Sequence, residues 1–135
     1  MKSYTDIEQS KKLAEILPVE SADQTWEIIA MAGANLDVPE KMEYWHNGNT
    51  PCFLNSKIGI PCWSLAALID QLEDVICDED GNEYELVIKK EGVQYDIYYL
   101  NICGEQEIIE LDRFYDDLID CCYEMILKLK ERNLL

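Results

Sequence analysis

Glu83-Tyr84-Glu85-Leu86-Val87-Ile88-Lys89-Lys90-Glu91-Gly92-Val93-Gln94-Tyr95-Asp96-Ile97-Tyr98-Tyr99-Leu100-Asn101 is the stretch that decides the fold class. Tyr84, Leu86 and Ile88 alternate with Glu85, Val87 and Lys89, the period of two that sets one face of a strand against a core. Glu91-Gly92 supplies a turn, and Val93, Tyr95, Ile97 and Tyr99 resume the alternation. Glu83–Lys90 and Val93–Asn101 therefore read as an antiparallel hairpin. A hairpin with one apolar face must be covered, and the segments on either side supply helices to do it.

On the N-terminal side lies Gly59-Ile60-Pro61-Cys62-Trp63-Ser64-Leu65-Ala66-Ala67-Leu68-Ile69-Asp70-Gln71-Leu72. Leu65, Leu68, Ile69, Leu72 and Ile76 recur at helical offsets and predict one long apolar face, with Ala66 and Ala67 small enough for close packing. Pro61 disfavours helical geometry at Ile60, so the chain should arrive extended, and Ser64 is placed to cap the helix. On the C-terminal side Gly104 turns the chain and Glu107–Leu111 predicts a third strand. A last helix follows from about Tyr115 to Arg132, with Leu118, Ile119, Cys122, Met125, Ile126 and Leu129 on one stripe. Asp116, Asp117 and Asp120 at its start and Lys128, Lys130 and Arg132 near its end complement the helix dipole.

Nearer the N-terminus, Thr5 and Glu8 have the spacing of a capping box. Ile7, Leu13, Ala14, Ile16 and Leu17 form the apolar stripe of a helix that Pro18 stops. Residues 21–59 are harder to read. The apolar run Trp26–Met31 suits a buried strand or a short helical piece, and Gly33, Pro39, Asn47-Gly48-Asn49 and Pro51 then break the chain repeatedly. One or two short strands are expected there, one of them around Met42–Trp45. The sum is a single α+β domain over residues 1–135. It has an about three-stranded, mainly antiparallel sheet from region 83–111, with two or three helices packed on one face.

The balance of 28 acidic against 11 basic side chains gives a net charge of −17 and a pI near 4.2. Such a chain is not expected to bind nucleic acid directly or to sit on an anionic membrane, since both need basic patches; a basic protein is the favoured partner, with homo-oligomers compatible. No leader and no spanning apolar run are read, so a soluble, cytoplasmic protein is expected, its six cysteines mostly buried thiols.

Patterns that would carry chemistry are weak. Asp78-Glu79-Asp80-Gly81-Asn82-Glu83 has the composition of a calcium loop, but counted from Asp78 its glycine is fourth rather than sixth and the twelfth residue is Lys89 rather than glutamate, so a solvated turn is expected. No C-x₂₋₄-C knuckle suggests zinc, and no cofactor is expected. His46 is the single histidine, with no nucleophile turn beside it, so no catalytic residues are assigned. The candidate ligand- or partner-binding residues are Tyr44, Trp45, His46, Phe53 and Trp63, aromatic and close together in a loop-rich segment. The competing reading, that these rings plug the edge of the core, has equal weight for the loop residues, and burial is the usual fate of a tryptophan such as Trp63.

Three segments carry a resemblance. They are Tyr4-Thr5-Asp6-Ile7-Glu8-Gln9-Ser10-Lys11-Lys12-Leu13 running on to Ser21-Ala22-Asp23; Ile60-Pro61-Cys62-Trp63-Ser64-Leu65-Ala66-Ala67-Leu68; and Asp117-Leu118-Ile119-Asp120-Cys121-Cys122-Tyr123-Glu124-Met125-Ile126. Together they cover about half the chain. They resemble small proteins without an assigned activity that are common in gut-bacterial genomes and their phages or mobile elements. The resemblance implies a bacterial, cytoplasmic, phage-associated protein and transfers no functional residues. Two functions are expected. The first is a non-enzymatic interaction module that engages a basic protein through its acidic exterior, in the manner of an inhibitor or DNA mimic. The alternative is a small-molecule-binding domain or minor enzyme built on the aromatic-rich segment 44–63, with a pocket lined by Trp45, Phe53 and Trp63.

Overall fold

The computed structural model describes residues 2–30, 43–46, 59–103 and 108–135. Its backbone falls into two compact units, Asp6–Ser64 and the combination of Met1–Thr5 with Leu65–Leu135.

The unit Asp6–Ser64 opens with helix α1, Ile7–Ala14. Its N-cap is Asp6, one residue beyond the expected Thr5. Gln9 N–H donates to Asp6 Oδ1 at 2.8 Å and Asp6 N–H donates to Gln9 Oε1 at 3.1 Å, a reciprocal capping box. Thr5/Glu8 and Asp6/Gln9 share the same spacing, and burial chooses between them: Thr5 is fully buried, while Asp6 remains half-exposed at the helix start. Leu13 and Leu17 are buried, and the amides of Ile16 and Leu17 both return to Leu13 O at 2.9 and 2.7 Å before Pro18, which has no N–H to continue the ladder. A 3₁₀ turn at Val19–Ser21 follows.

The ambiguous apolar run is a strand. β1, Gln24–Ala30, pairs antiparallel with β2, Glu43–His46, on one side and with β3, Gly59–Cys62, on the other, giving the order β2-β1-β3. Thr25, Trp26, Ile28 and Ile29 are β-branched or aromatic, which favours the pleated form. Helix α1 packs on β3. The end of the β1–β3 ladder, where Gln24 faces Cys62, is clipped by side chains. Ser64 N–H donates to Asp23 Oδ1 at 2.8 Å and its hydroxyl donates to Asp23 Oδ2.

The other unit is built on a four-stranded antiparallel sheet in the order β4-β5-β6-β7, with β4 at Val75–Cys77, β5 at Glu83–Glu91, β6 at Gln94–Asn101 and β7 at Ile108–Glu110. The expected hairpin is β5–β6. Its loop is Gly92-Val93, and Gly92 has φ +63° while Val93 does not enter the left-handed region, the pattern of a II′ turn with glycine first. The inward face carries Ile76, Tyr84, Ile97, Tyr99 and Ile109, all buried. Helix α3, Leu118–Glu131, lies against β6 and against the short helix α2, Leu65–Asp70, and buries Ile119, Cys121, Cys122, Met125, Ile126 and Leu129.

Both ends of α3 are closed. Asp117 Oδ1 accepts from Ile119 N–H at 2.9 Å, and Asp117 Oδ2 accepts from Lys2 N–H at 2.5 Å, which fixes the N-terminal segment. At the other end Asn133 has φ +57°, Asn133 N–H donates to Lys130 O at 3.1 Å and Leu134 N–H donates to Leu129 O at 2.8 Å, a Schellman closure.

The α+β class holds, but the architecture corrects the expectation of about three strands in one sheet. Among the described residues there are two antiparallel sheets, one per unit, and of the described helices only α2 and α3 share a unit with the four-stranded sheet. Two causes stand out. Residues 24–62 hold strands that breakers had concealed. The helical stripe Leu65–Ile76 was two elements in one register: α2 ends at Asp70, the amides of Gln71 and Leu72 tighten onto Leu68 and Ile69 carbonyls, and Ile76 sits in β4 opposite Tyr84. Asp70, Glu73 and Asp74 crowd negative charge at the helix C-terminus, where the dipole opposes it, and Val75-Ile76 favours strand. Among the described residues no helix is long and apolar enough to cross a membrane.

Candidate functional site

Of the five residues the sequence singled out, the structure describes Tyr44, Trp45, His46 and Trp63. Trp63 has no exposed surface; its indole N–H donates to Ser21 Oγ at 2.9 Å, and the Ser21 hydroxyl donates in turn to Pro18 O at 2.6 Å. Buried and hydrogen-bonded, it is a packing residue of its unit, as a tryptophan with a satisfied N–H is expected to be. Tyr44, Trp45 and His46 lie in β2, where their backbones pair with Ile29, Ile28 and Glu27 respectively. Phe53 lies outside the described residues.

The acidic turn after β4 is a knot of internal hydrogen bonds. Asp78 Oδ1 accepts from Asp80 N–H and Asn82 N–H, both at 2.9 Å, and Asp78 Oδ2 accepts from Asn82 Nδ2 at 3.0 Å and from the Tyr84 hydroxyl at 3.1 Å. The Asn82 side-chain amide, with the other donors, holds the Asp78 carboxyl below its ordinary range. Four donors leave that carboxylate committed to the turn, which is why the near-match to a calcium loop has no ligand geometry behind it. Among the described residues no group of three or more His, Cys, Asp or Glu stands together as a metal site. A cleft of about 410 Å³ runs beside the turn, between Cys77–Asp80, Tyr84 and Ile109 on one side and Arg132–Leu134 on the other.

The most distinctive surface is the outward face of the four-stranded sheet. Strand register lines up Val75, Glu85, Leu100 and Ile108 in one row across all four strands, and Val87, Tyr98 and Glu110 in the next. Val75, Leu100 and Ile108 remain 43%, 39% and 42% exposed, Leu100 beside Ile108 and Val75 beyond Glu85, in a row where a sheet facing only water would carry polar groups. Carboxylates surround them: Glu83, Glu85, Glu91, Asp96 and Glu110 share this face by strand alternation, and Lys89, the one cation that alternation places there among the described strand residues, is paired with Glu91. Burial first, then repulsion from Glu110 and Glu91, raises the Asp96 carboxyl above its ordinary value, against the lowering effect of the Ile97 N–H and Lys89. The register sets none of these carboxylates directly opposite another: Glu85 lies between Val75 and Leu100, Asp96 faces Lys89, and Glu110 faces Tyr98.

The six candidate thiols divide sharply. Cys62, Cys121 and Cys122 are buried, Cys77 and Cys103 are exposed, and Cys52 lies outside the described residues. Burial, with the Asp96 charge second, pushes the Cys121 thiol up to about 12, and burial, then Cys121, does the same for Cys122 to about 12. Thiols so hard to ionise are poor nucleophiles. Nothing in the residues alone distinguished the sheet's outward row as a surface: Val75 was read as part of a helix, and Leu100 and Ile108 align with it only once the four-strand register exists. Comparison with family models, curated proteins and solved structures finds no match for this chain.

Proposed function

We propose that this protein is a non-enzymatic interaction module that engages a basic protein surface through its acidic exterior, within a bacterial or phage-associated setting. The observation that supports it is the outward face of the β4–β7 sheet, where exposed aliphatic side chains sit among carboxylates and, among the described strand residues, Lys89 is the one cation. A partner that brings cations to this face would meet those carboxylates. The excess of 28 acidic over 11 basic side chains extends the same potential over the rest of the chain, steering a basic protein toward it and nucleic acid away.

The test is affinity capture from a bacterial lysate at low and high ionic strength, followed by mass spectrometry and titration of each captured protein in purified form. The Debye length falls from about 10 Å at 0.1 M to about 3 Å at 1 M salt, so a charge-driven complex weakens steeply across that range. A specific basic partner lost at high salt is the expected outcome. Recovery of the protein alone at both ionic strengths, or a partner whose affinity ignores salt, would refute the reading.

A further inference from the structure

Resting on that reading, we infer that the outward face of the β4–β7 sheet is the docking surface, and that its occupant is a basic amphipathic helical segment of the partner. The row Val75, Glu85, Leu100 and Ile108 crosses the sheet, aliphatic at every strand but β5, with Val87 and Tyr98 half-buried in the row beside it. Four strands at about 4.8 Å spacing make this stripe about 14 Å long. A helix rises about 1.5 Å per residue, so two to three turns cover the stripe with one apolar ridge. Lysines or arginines flanking that ridge would then meet Glu83, Glu85, Asp96 and Glu110. Charge complementarity selects this occupant over a second copy of the chain, which would bring the same carboxylates to the same face. An acidic or neutral helix would leave the carboxylates facing each other, now desolvated as well.

The face is also suited to a helix because its edges are short. β4 and β7 have three residues each, so neither offers the length of unpaired backbone that an added strand would use, whereas Val75, Leu100 and Ile108 on the outward flat are exposed.

The probe is a synthetic leucine/lysine peptide of about 14 residues patterned at the helical period, compared with a scrambled peptide of identical composition. Both carry the same charge, so only the patterned one presents an apolar ridge. Binding is read by fluorescence anisotropy on the full-length protein and on the variants Leu100→Gln/Ile108→Gln and Glu85→Gln/Glu110→Gln, with Glu20→Gln as a remote control. The expected result is at least tenfold tighter binding of the patterned peptide. Leu100→Gln/Ile108→Gln should remove that advantage and leave the scrambled peptide unaffected, Glu85→Gln/Glu110→Gln should weaken both peptides and flatten the salt dependence, and Glu20→Gln should change neither. Melting curves that superimpose with the parent establish that the variants are folded.

Salt-sensitive binding of both peptides that ignores Leu100→Gln/Ile108→Gln would overturn this docking face and leave the broader acidic reading standing. Failure of both cationic peptides to bind at low salt would overturn both. A dimer in sedimentation that Leu100→Gln/Ile108→Gln abolishes would assign the face to a second copy and overturn the proposal.

Discussion

Replacing Asp117 by alanine removes two acceptors with one substitution. Oδ1 caps α3 by accepting from Ile119 N–H at 2.9 Å, and Oδ2 holds the backbone of Lys2 at 2.5 Å. Loss of a helix N-cap costs about 1 kcal/mol. A hydrogen bond to a charged group contributes about 1.5–3 kcal/mol, so Asp117→Ala should cost about 2–4 kcal/mol in all. Asp117→Ser separates the parts: a serine hydroxyl caps nearly as well but cannot also reach Lys2, leaving a loss of about 1–3 kcal/mol. Lys2→Ala is the internal control, because it keeps the backbone N–H and removes only the Lys2 Nζ–Asp120 ion pair at 2.8 Å. That pair is partly exposed and, screened by solvent, should be worth at most about 0.5 kcal/mol. Urea titrations followed by far-ultraviolet circular dichroism, compared at a common m-value, give the three differences. Alanine and serine variants that agree within about 0.5 kcal/mol would mean that the cap adds nothing, a serine variant as stable as the parent would mean that the Lys2 contact adds nothing, and a Lys2→Ala cost equal to that of Asp117→Ser would place the anchor in the side chain; each refutes the reasoning.

Tyr99→Phe should cost about 1–2 kcal/mol, because the buried Tyr99 hydroxyl donates to Glu73 O at 2.8 Å and its loss strands that carbonyl; calorimetry with an unchanged transition would contradict this. Brief alkylation of the native protein should label Cys77 and Cys103 and spare Cys62, Cys121 and Cys122, as mapped by peptide mass spectrometry. The folded values of Cys121 and Cys122 lie above their ordinary 9.0, so their contribution is intact below pH 9 and is lost as the unfolded chain ionises first between about 9 and about 12. Cys122→Ala should therefore show a shallower alkaline decline in stability than the parent, and parallel curves would count against the buried-thiol account. Gly92→Ala meets open space but must hold φ near +63°, so an unfolding penalty of about 1 kcal/mol is expected, with Gly92→Asn closer to neutral.

What could be read from the residues, and what could not, follows a physical line. β5, β6 and α3 were legible because each carries its own period over two or more turns or four or more alternations, and the Gly92 turn sits where local chemistry demands it; the start of α3 was read at about Tyr115, three residues before Leu118, because the Asp117 cap was not recognised. β4 was not, because Ile76 falls by coincidence on the helical phase of Leu65 and Leu72; only pairing with Tyr84, a contact made across the acidic turn, decides its state. β1 was ambiguous for the same reason, since a short apolar run is satisfied equally by a neighbouring helix or by strands from residues 43–46 and 59–62. Of the candidate site, Trp63 shows the limit most clearly. Its aromatic surface suggested recognition, yet the hydroxyl that satisfies its indole comes from Ser21, forty-two positions earlier, and no local pattern announces such a partner. The outward row of the sheet is legible only after the register is known.

The division of the chain has a consequence in time. Residues 2–5 complete the unit that otherwise begins at Leu65: Leu65 N–H donates to Ser3 O at 3.4 Å, and Lys2 is held by Asp117. A ribosome delivers Lys2 and Ser3 well before Leu65 and Asp117, the residues that hold them. At about 5–20 residues per second, synthesis from Leu65 to Asp117 takes roughly 3–10 s, long against the microseconds to milliseconds in which local elements form. The segment Asp6–Ser64 is thus able to settle while the chain is still growing, whereas residues 2–5, made before it, wait for partners made after it.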